Sequence, residues 1–201
     1  MSELEEKAFL LVSYLGKISD TNTTFEEAKN KLIILNTGQM IPKLEKALGT
    51  LNEGEEVEVS VSPREGFGER DPSLIRIVPQ STFIKENITP TPGKAVSING
   101  LFAKIRSVNS GRVMADFNHP LAGEHLTYHL KLEKILTTDK EKIEALAKDI
   151  GIDADVKEEE QKVVIKVKNP PSQNVYSQKK EVLKSVIKSF FNNINEIEFH
   201  E

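Results

Sequence analysis

Apolar and polar positions alternate over much of the first 65 residues, and the period changes twice further along. Ala8, Leu10, Val12 and Tyr14 share one face of a strand predicted over residues 8–15. Ser19-Asp20-Thr21-Asn22 reads as a polar turn, and residues 31–35 as a second strand. Residues 41–48 carry a short helix signal, with Pro42 suited to the first helical position and Gly49 to the residue just past the end. Val57, Val59 and Val61 alternate with Glu58 and Ser60, the period of a half-buried strand. Several strands around one short helix predict an antiparallel α+β layout.

From Arg70 to Asn118 the chain is punctuated by Pro72, Pro79, Pro90 and Pro92 and is rich in Asn, Ser and Thr. Val96 and Ile98 lead through Asn99-Gly100 into residues 102–108, and Asn109-Ser110-Gly111 turns into residues 113–117. Asn-Gly and Ser-Gly between alternating runs are hairpin signals, so this stretch predicts a small β unit of its own. Leu126, Tyr128, Leu130 and Leu132 then alternate in one more strand.

Beyond Leu136 the period becomes helical. Ile143, Leu146, Ala147 and Ile150 fall at helix spacing before Gly151, residues 162–168 read as a strand, and Pro170-Pro171 as a break. Val182, Leu183, Val186, Ile187, Phe190 and Phe191 form an amphipathic helical stripe, and residues 197–200 suit a short closing strand. This last unit of about 60 residues is small enough to call for packing on the main body or on a second copy of itself.

Composition narrows the function. With 38% apolar and 29% charged residues the chain is globular, and a formal net charge of −4 without a basic tail argues against a nucleic-acid partner. There is no cysteine, which removes disulfides, thiol catalysis and thiolate metal sites. The acidic start followed by a short apolar run lacks the marks of a secretion signal, and no apolar run approaches the roughly 20 residues that span a bilayer. A cytoplasmic protein with no membrane association is expected.

Three stretches resemble the FKBP family of peptidyl-prolyl isomerases, in particular its members with a domain inserted in the flap, the SlyD-like and long archaeal-type proteins. They are Val12-Ser13-Tyr14-Leu15-Gly16-Lys17 with Thr24-Phe25-Glu26; Gly38-Gln39-Met40-Ile41-Pro42-Lys43-Leu44-Glu45-Lys46-Ala47-Leu48, followed by Gly54-Glu55-Glu56 and Gly66-Phe67-Gly68-Glu69-Arg70-Asp71-Pro72; and Asn118-His119-Pro120-Leu121-Ala122-Gly123. Their order and spacing cover residues 8 to about 136, while the tail's resemblance to the long archaeal-type members rests on element order more than on motif. The resemblance implies an FKBP domain in two parts (1–70 and 118–136), an insert-in-flap domain (71–117) and a C-terminal α/β domain (137–201).

Isomerisation of an X-Pro bond must overcome a barrier of roughly 18–20 kcal/mol set by amide resonance, and it needs no nucleophile or proton transfer. An apolar pocket that grips the proline ring and desolvates the carbonyl lowers that barrier. The resemblance places Tyr14, Phe25, Glu26, Met40, Ile41, Leu44, Phe67, Leu121 and Tyr128 in this pocket, with the Ile41 N–H offered to a substrate carbonyl. Without it, these aromatic and aliphatic positions read as ordinary core. Departures stand out: Glu26 and Phe67 replace the family's usual Asp and Tyr, Lys31 a large apolar residue, and Lys43 and Asn36 glycines. A weakened isomerase is the expectation.

The resemblance also implies a chaperone role for the insertion, with Val78, Phe83, Ile84, Ile88 and Phe102 as candidates for an apolar holding surface or for the small unit's own core. The expected partners are proline-containing unfolded or nascent polypeptides, without cofactor or metal. His119, His125, His129 and His200 read as solvated or structural, His125 and His129 sharing a strand face but lacking a third ligand. The Glu158-Glu159-Glu160 run reads as a solvated turn. The rival reading is a non-catalytic binding or assembly module that dimerises through its C-terminal unit.

Overall fold

The computed structural model of the protein describes residues 7–159, 162–168 and 173–200. Pro170-Pro171 and Glu160 lie outside them. The described chain is α+β, and it divides into two compact units. The first comprises Met1–Gly16, Thr24–Val59 and Tyr128–Glu201, and the second Lys17–Thr23 and Ser60–Thr127.

The first unit is built on a four-stranded sheet of order β2-β1-β8-β3, with β1 Phe9–Ile18, β2 Thr23–Ile34, β3 Glu56–Val61 and β8 Leu126–Leu136. Helix α1 (Pro42–Leu48) has Pro42 in its first turn, where the missing N–H is no loss, and it buries Leu44 and Leu48. The sequence shows only the last third of β2. Its first part, from Thr23, is polar and exposed, as suits an edge strand whose charges discourage pairing with another chain.

Strand β1 is buried on both faces. Leu10 and Val12 are fully covered on one, as the alternation predicts, but Phe9 on the other is only 4% exposed. The cause is the C-terminal segment: α3 (Asp139–Ile150), β9 (Ala154–Glu159), β10 (Lys162–Val167), α4 (Gln173–Phe190) and β11 (Glu196–His200). Its buried residues share one core with Phe9, Leu32, Ile34 and Leu136 of the sheet. Phe9 meets Phe190 edge-on at 5.3 Å between ring centroids and Phe191 at 6.0 Å. Of the two packings open at the sequence level, the tail takes the main body.

Within this segment β10 pairs antiparallel with β9 and parallel with β11. Glu158 and Glu159 belong to β9, so the acidic run is strand where the sequence suggests a turn. Helix α3 starts in a capping box between Thr138 and Glu141 and stops at Gly151, whose φ of 80° suits a residue without Cβ. Helix α4 begins well before the predicted stripe, and Tyr176, Leu183 and Ile187 point into the core, whereas Val182 is 51% exposed. Lys31 ties β2 to α3 through a 2.5 Å contact with Asp149.

The second unit is built on the sheet β4-β7-β6-β5, with β4 Ile75–Pro79, β5 Ala95–Ile98, β6 Leu101–Asn109 and β7 Arg112–Asp116, all antiparallel. Both predicted hairpins form. Asn99-Gly100 and Ser110-Gly111 each place two residues at positive φ, the geometry of a two-residue turn matched to strand twist. The sequence reading misses β4 and helix α2 (Gln80–Lys85). Phe83, at 0% exposure, centres the small core with Ile98, Ala103, Ile105, Val113 and Ala115.

Replacing Phe9 by Ala in the full chain is expected to cost about 3–5 kcal/mol, the usual range for emptying a buried phenylalanine site. Urea unfolding followed by far-UV circular dichroism measures it. A loss below about 1 kcal/mol would mean that the tail does not depend on this strand face.

Candidate functional site

Tyr14 lies on β1, Phe25 and Glu26 on β2, and Tyr128 on β8. Because β1 separates β2 from β8, their backbones stand roughly 10 Å apart, yet the Phe25 and Tyr128 rings meet edge to face at 5.6 Å. They meet over Gly16. A Cβ at that position would lie 2.8 Å from Phe25 Cζ and 3.0 Å from Tyr128 Cε1, closer than van der Waals contact permits. Tyr128 is only 2% exposed and forms the floor of this aromatic group, while Tyr14 and Phe25 are half-buried.

The Tyr14 hydroxyl donates to Glu26 Oε1 at 2.9 Å, so the longer carboxylate still reaches the phenol beside it. Burial, then this hydrogen bond and the Glu26 charge, push the Tyr14 hydroxyl up to about 12. Burial and the Glu26 charge push Tyr128 to about 12 as well. Both are neutral hydrogen-bonding groups through the physiological range.

Met40 and Ile41 end a loop of unusual backbone. Asn36 and Gly38 take φ of 59° and 75°, and asparagine tolerates that region where most side chains do not. Three side chains pin the loop: Ile34 N–H donates to Gln39, Thr37 Oγ1 to the Ile34 carbonyl, and Asn36 N–H to Glu45 Oε2. Glu45 is only 8% exposed. The Ile41 carbonyl accepts from Leu44 and Glu45 N–H at the start of α1. Its own N–H has no hydrogen-bond partner among the described residues, which leaves one fixed donor beside the half-buried Met40 and Ile41 side chains. Leu44, 1% exposed, lies beneath the surface.

In the second unit Phe67 stacks on His119, with centroids 4.4 Å apart and planes 3° from parallel. The Leu121 N–H donates to His119 Nδ1 at 3.2 Å, which leaves the ring proton on Nε2. Asn118 exchanges two hydrogen bonds with the Asp71 backbone, and Gly123 N–H donates to the Gly68 carbonyl, so the 118–123 loop is fixed at both ends. Before this loop sits Asp116, 1% exposed, bound by Arg70, Arg106 and Asn118. Burial alone would raise its carboxyl, but the hydrogen bonds from Arg70, Asn118 and Arg106 outweigh burial and hold it well below the usual carboxylate range.

The five candidate holding residues separate. Ile84 and Phe102 are 62% and 64% exposed, and Ile77, Leu101 and Met114 of the same unit are exposed as well. Val78 and Ile88 pack partly against the small core, and Phe83 is wholly inside it, which decides its two readings for core and against the holding surface. The sequence reading gives Gly16 no role of its own and reads His119 only as solvated or structural. Gly16 has no side chain to signal a role, and a single histidine in a loop carries no period. His125 lies just before β8, whereas His129 lies within it and faces Glu58 at 3.3 Å.

The first unit thus carries two features suited to an apolar peptide pocket, an aromatic group over Gly16 and a pinned loop before α1. Comparison with known proteins gives the family. Residues 2–86 match the family model "FKBP-type peptidyl-prolyl cis-trans isomerase", and residues 76–121 match "FKBP26, IF domain". A short-type peptidyl-prolyl cis-trans isomerase of Methanocaldococcus jannaschii is 31% identical over 137 residues, 63% of this chain and 87% of the relative. The FKBP-type isomerase SlyD of Helicobacter pylori is 30% identical over 139 residues, 67% of this chain and 72% of its own. The 16 kDa FKBP-type isomerase of Escherichia coli is 29% identical over 143 residues, 66% and 93%. The chain belongs to the FKBP-type peptidyl-prolyl cis-trans isomerase family and is an isomerase of that class, with an inserted IF domain.

Two measurements follow from the aromatic group. In an ultraviolet titration, Tyr14 and Tyr128 are expected to ionise near pH 12 rather than 10. Because both folded values are raised, their stabilising effect is whole below pH 10 and drains away between about 10 and 12. Glu26→Gln is expected to bring both midpoints down; unchanged midpoints would mean that the carboxylate does not act on these rings. Gly16→Ala is expected to cost about 1–3 kcal/mol through overpacking, read from chemical denaturation.

Proposed function

We propose that the chain accelerates cis–trans isomerisation of X-Pro bonds in unfolded or nascent polypeptides, at a reduced rate, and holds such chains on its inserted unit. The observation that carries the catalytic part is the Ile41 peptide. Its carbonyl is engaged in the helix start, its N–H has no partner among the described residues, and the loop around it is pinned by Gln39, Thr37 and Glu45. A substrate carbonyl bound there is oriented with little further ordering, and a rigid donor favours the twisted amide when its bond strengthens in the transition state.

In this reading Tyr14, Phe25, Met40 and Ile41 contact the proline ring and its neighbours, over Leu44 and Tyr128 as the base. Glu26 holds the Tyr14 hydroxyl in place. The family resemblance assigns Phe67 and Leu121 of the second unit to peptide binding as well, and Phe67 is without the phenolic hydroxyl that a tyrosine would bring. The holding role draws on the exposed Ile77, Ile84, Leu101, Phe102 and Met114, an unusual concentration of open apolar side chains for one small unit. Polypeptide held there is kept at high local concentration near the isomerase domain of the same chain.

Phe67→Tyr tests the rate. Restoring one hydrogen bond of about 0.5–1.5 kcal/mol is expected to raise kcat/KM on an X-Pro peptide by about 2- to 12-fold, read by a protease-coupled assay. No activity in either protein would refute the catalytic reading. An unchanged kcat/KM would refute the role given to Phe67.

A further inference from the structure

The sheet face of the second unit that carries Phe102 also carries Lys104, and the next residue of that parity, Arg106, is the extra residue of a β-bulge between Ile105 and Ser107. A bulge residue has no partner on the neighbouring strand, which frees its side chain to be re-aimed. Arg106 turns onto Asp116 Oδ2, at 2.8 and 2.9 Å, and Arg70 reaches the same oxygen. Arg70, Phe102, Lys104, Arg106, Pro120 and Glu124 line one cavity of about 510 Å³.

Its charges do not cancel. Three cations, Arg70, Lys104 and Arg106, face two carboxylates, Asp116 and Glu124. Asp116 is committed to both guanidinium groups, and Lys104 has no ionic partner among the described residues. Arg70 Nε is buried and also lacks a hydrogen-bond partner. Arg106 spends Nε and one terminal nitrogen on Asp116, so its other terminal nitrogen and the exposed Lys104 ammonium are the donors open to an anionic oxygen in the cavity. Phe102 at 64% exposure and Pro120 supply an apolar wall next to these donors.

We propose that this cavity is a specificity subsite for an acidic side chain, Asp or Glu, that neighbours an aromatic or aliphatic residue in a bound polypeptide. The apolar neighbour packs on Phe102 and Pro120, and the carboxylate takes the donors left open by Lys104 and Arg106. The subsite rests on the polypeptide-holding reading above and adds to it a preference for charge. It gives a protein of net charge −4 a local site for chains of its own sign.

The test uses the full chain and two fluorescent, unstructured peptides that differ only in one residue beside a phenylalanine, Glu in one and Gln in the other. Fluorescence anisotropy is expected to show the Glu peptide binding about 3- to 10-fold more tightly, with the difference shrinking at high salt. Lys104→Gln, a change at an exposed position outside the buried ion cluster, is expected to remove most of that preference and leave the Gln peptide unaffected. Equal binding of both peptides by the natural protein would overturn the subsite while leaving the holding role intact. A preference that survives Lys104→Gln unchanged would overturn it too. If neither peptide binds, the holding role fails, and the subsite with it.

Discussion

Everything in the first unit depends on the double burial of β1. A strand covered on one face only would leave Phe9 in water and the C-terminal segment without a seat. Covered on both, it fixes the sheet between two layers of packed side chains, and a central strand so held presents Tyr14 and Gly16 at constant depth. Emptying any of the large sites around it removes both transfer energy and packing. Lys31, anomalous for the family by sequence, fits this account: a charge on the sheet's edge strand pairs with Asp149 of the docked helix, where a bare apolar residue would have no such partner.

The candidate site is built by backbone as much as by side chains. Gly16 lets two rings from strands that are not neighbours touch, and the pinned loop before α1 leaves the Ile41 N–H without a partner among the described residues while engaging the carbonyl of the same residue. Isomerisation of a planar amide asks for such a site, since it needs orientation and an apolar surround rather than a reactive group. The substitution at Glu26 changes less than its extra methylene suggests, because the carboxylate still accepts from Tyr14.

Much of this was legible in the sequence, for reasons that are physical. The alternating strands, the Pro42 helix start and the two positive-φ hairpins each carry a local signature, and the ordered motifs carry the family. The elements that were not legible lack one. The polar first part of β2 has no apolar period, and Ile75–Pro79 is short and ends in proline. Val182 falls within an apolar run but rotates out of the core, since helix phase is set by the Tyr176, Leu183 and Ile187 contacts further away in sequence. Phe83 shows the same limit, because composition cannot say whether a lone aromatic in a polar stretch is surface or core. Of the site, the residue types and, through the family resemblance, the Ile41 N–H were readable, whereas the Gly16 crossing and the Phe67–His119 stack exist only in three dimensions.

The central claim, that the Ile41 N–H is the donor that meets the substrate carbonyl, is open to one direct measurement. Amide-resolved NMR of the full chain, titrated with a short X-Pro peptide, reports on that proton alone. The account predicts that the Ile41 amide moves downfield as the peptide saturates, the signature of a hydrogen bond being made, and moves further than the amides of Gln39 and Lys43. An Ile41 amide that stays in place while the peptide binds and exchanges between its isomers would contradict it.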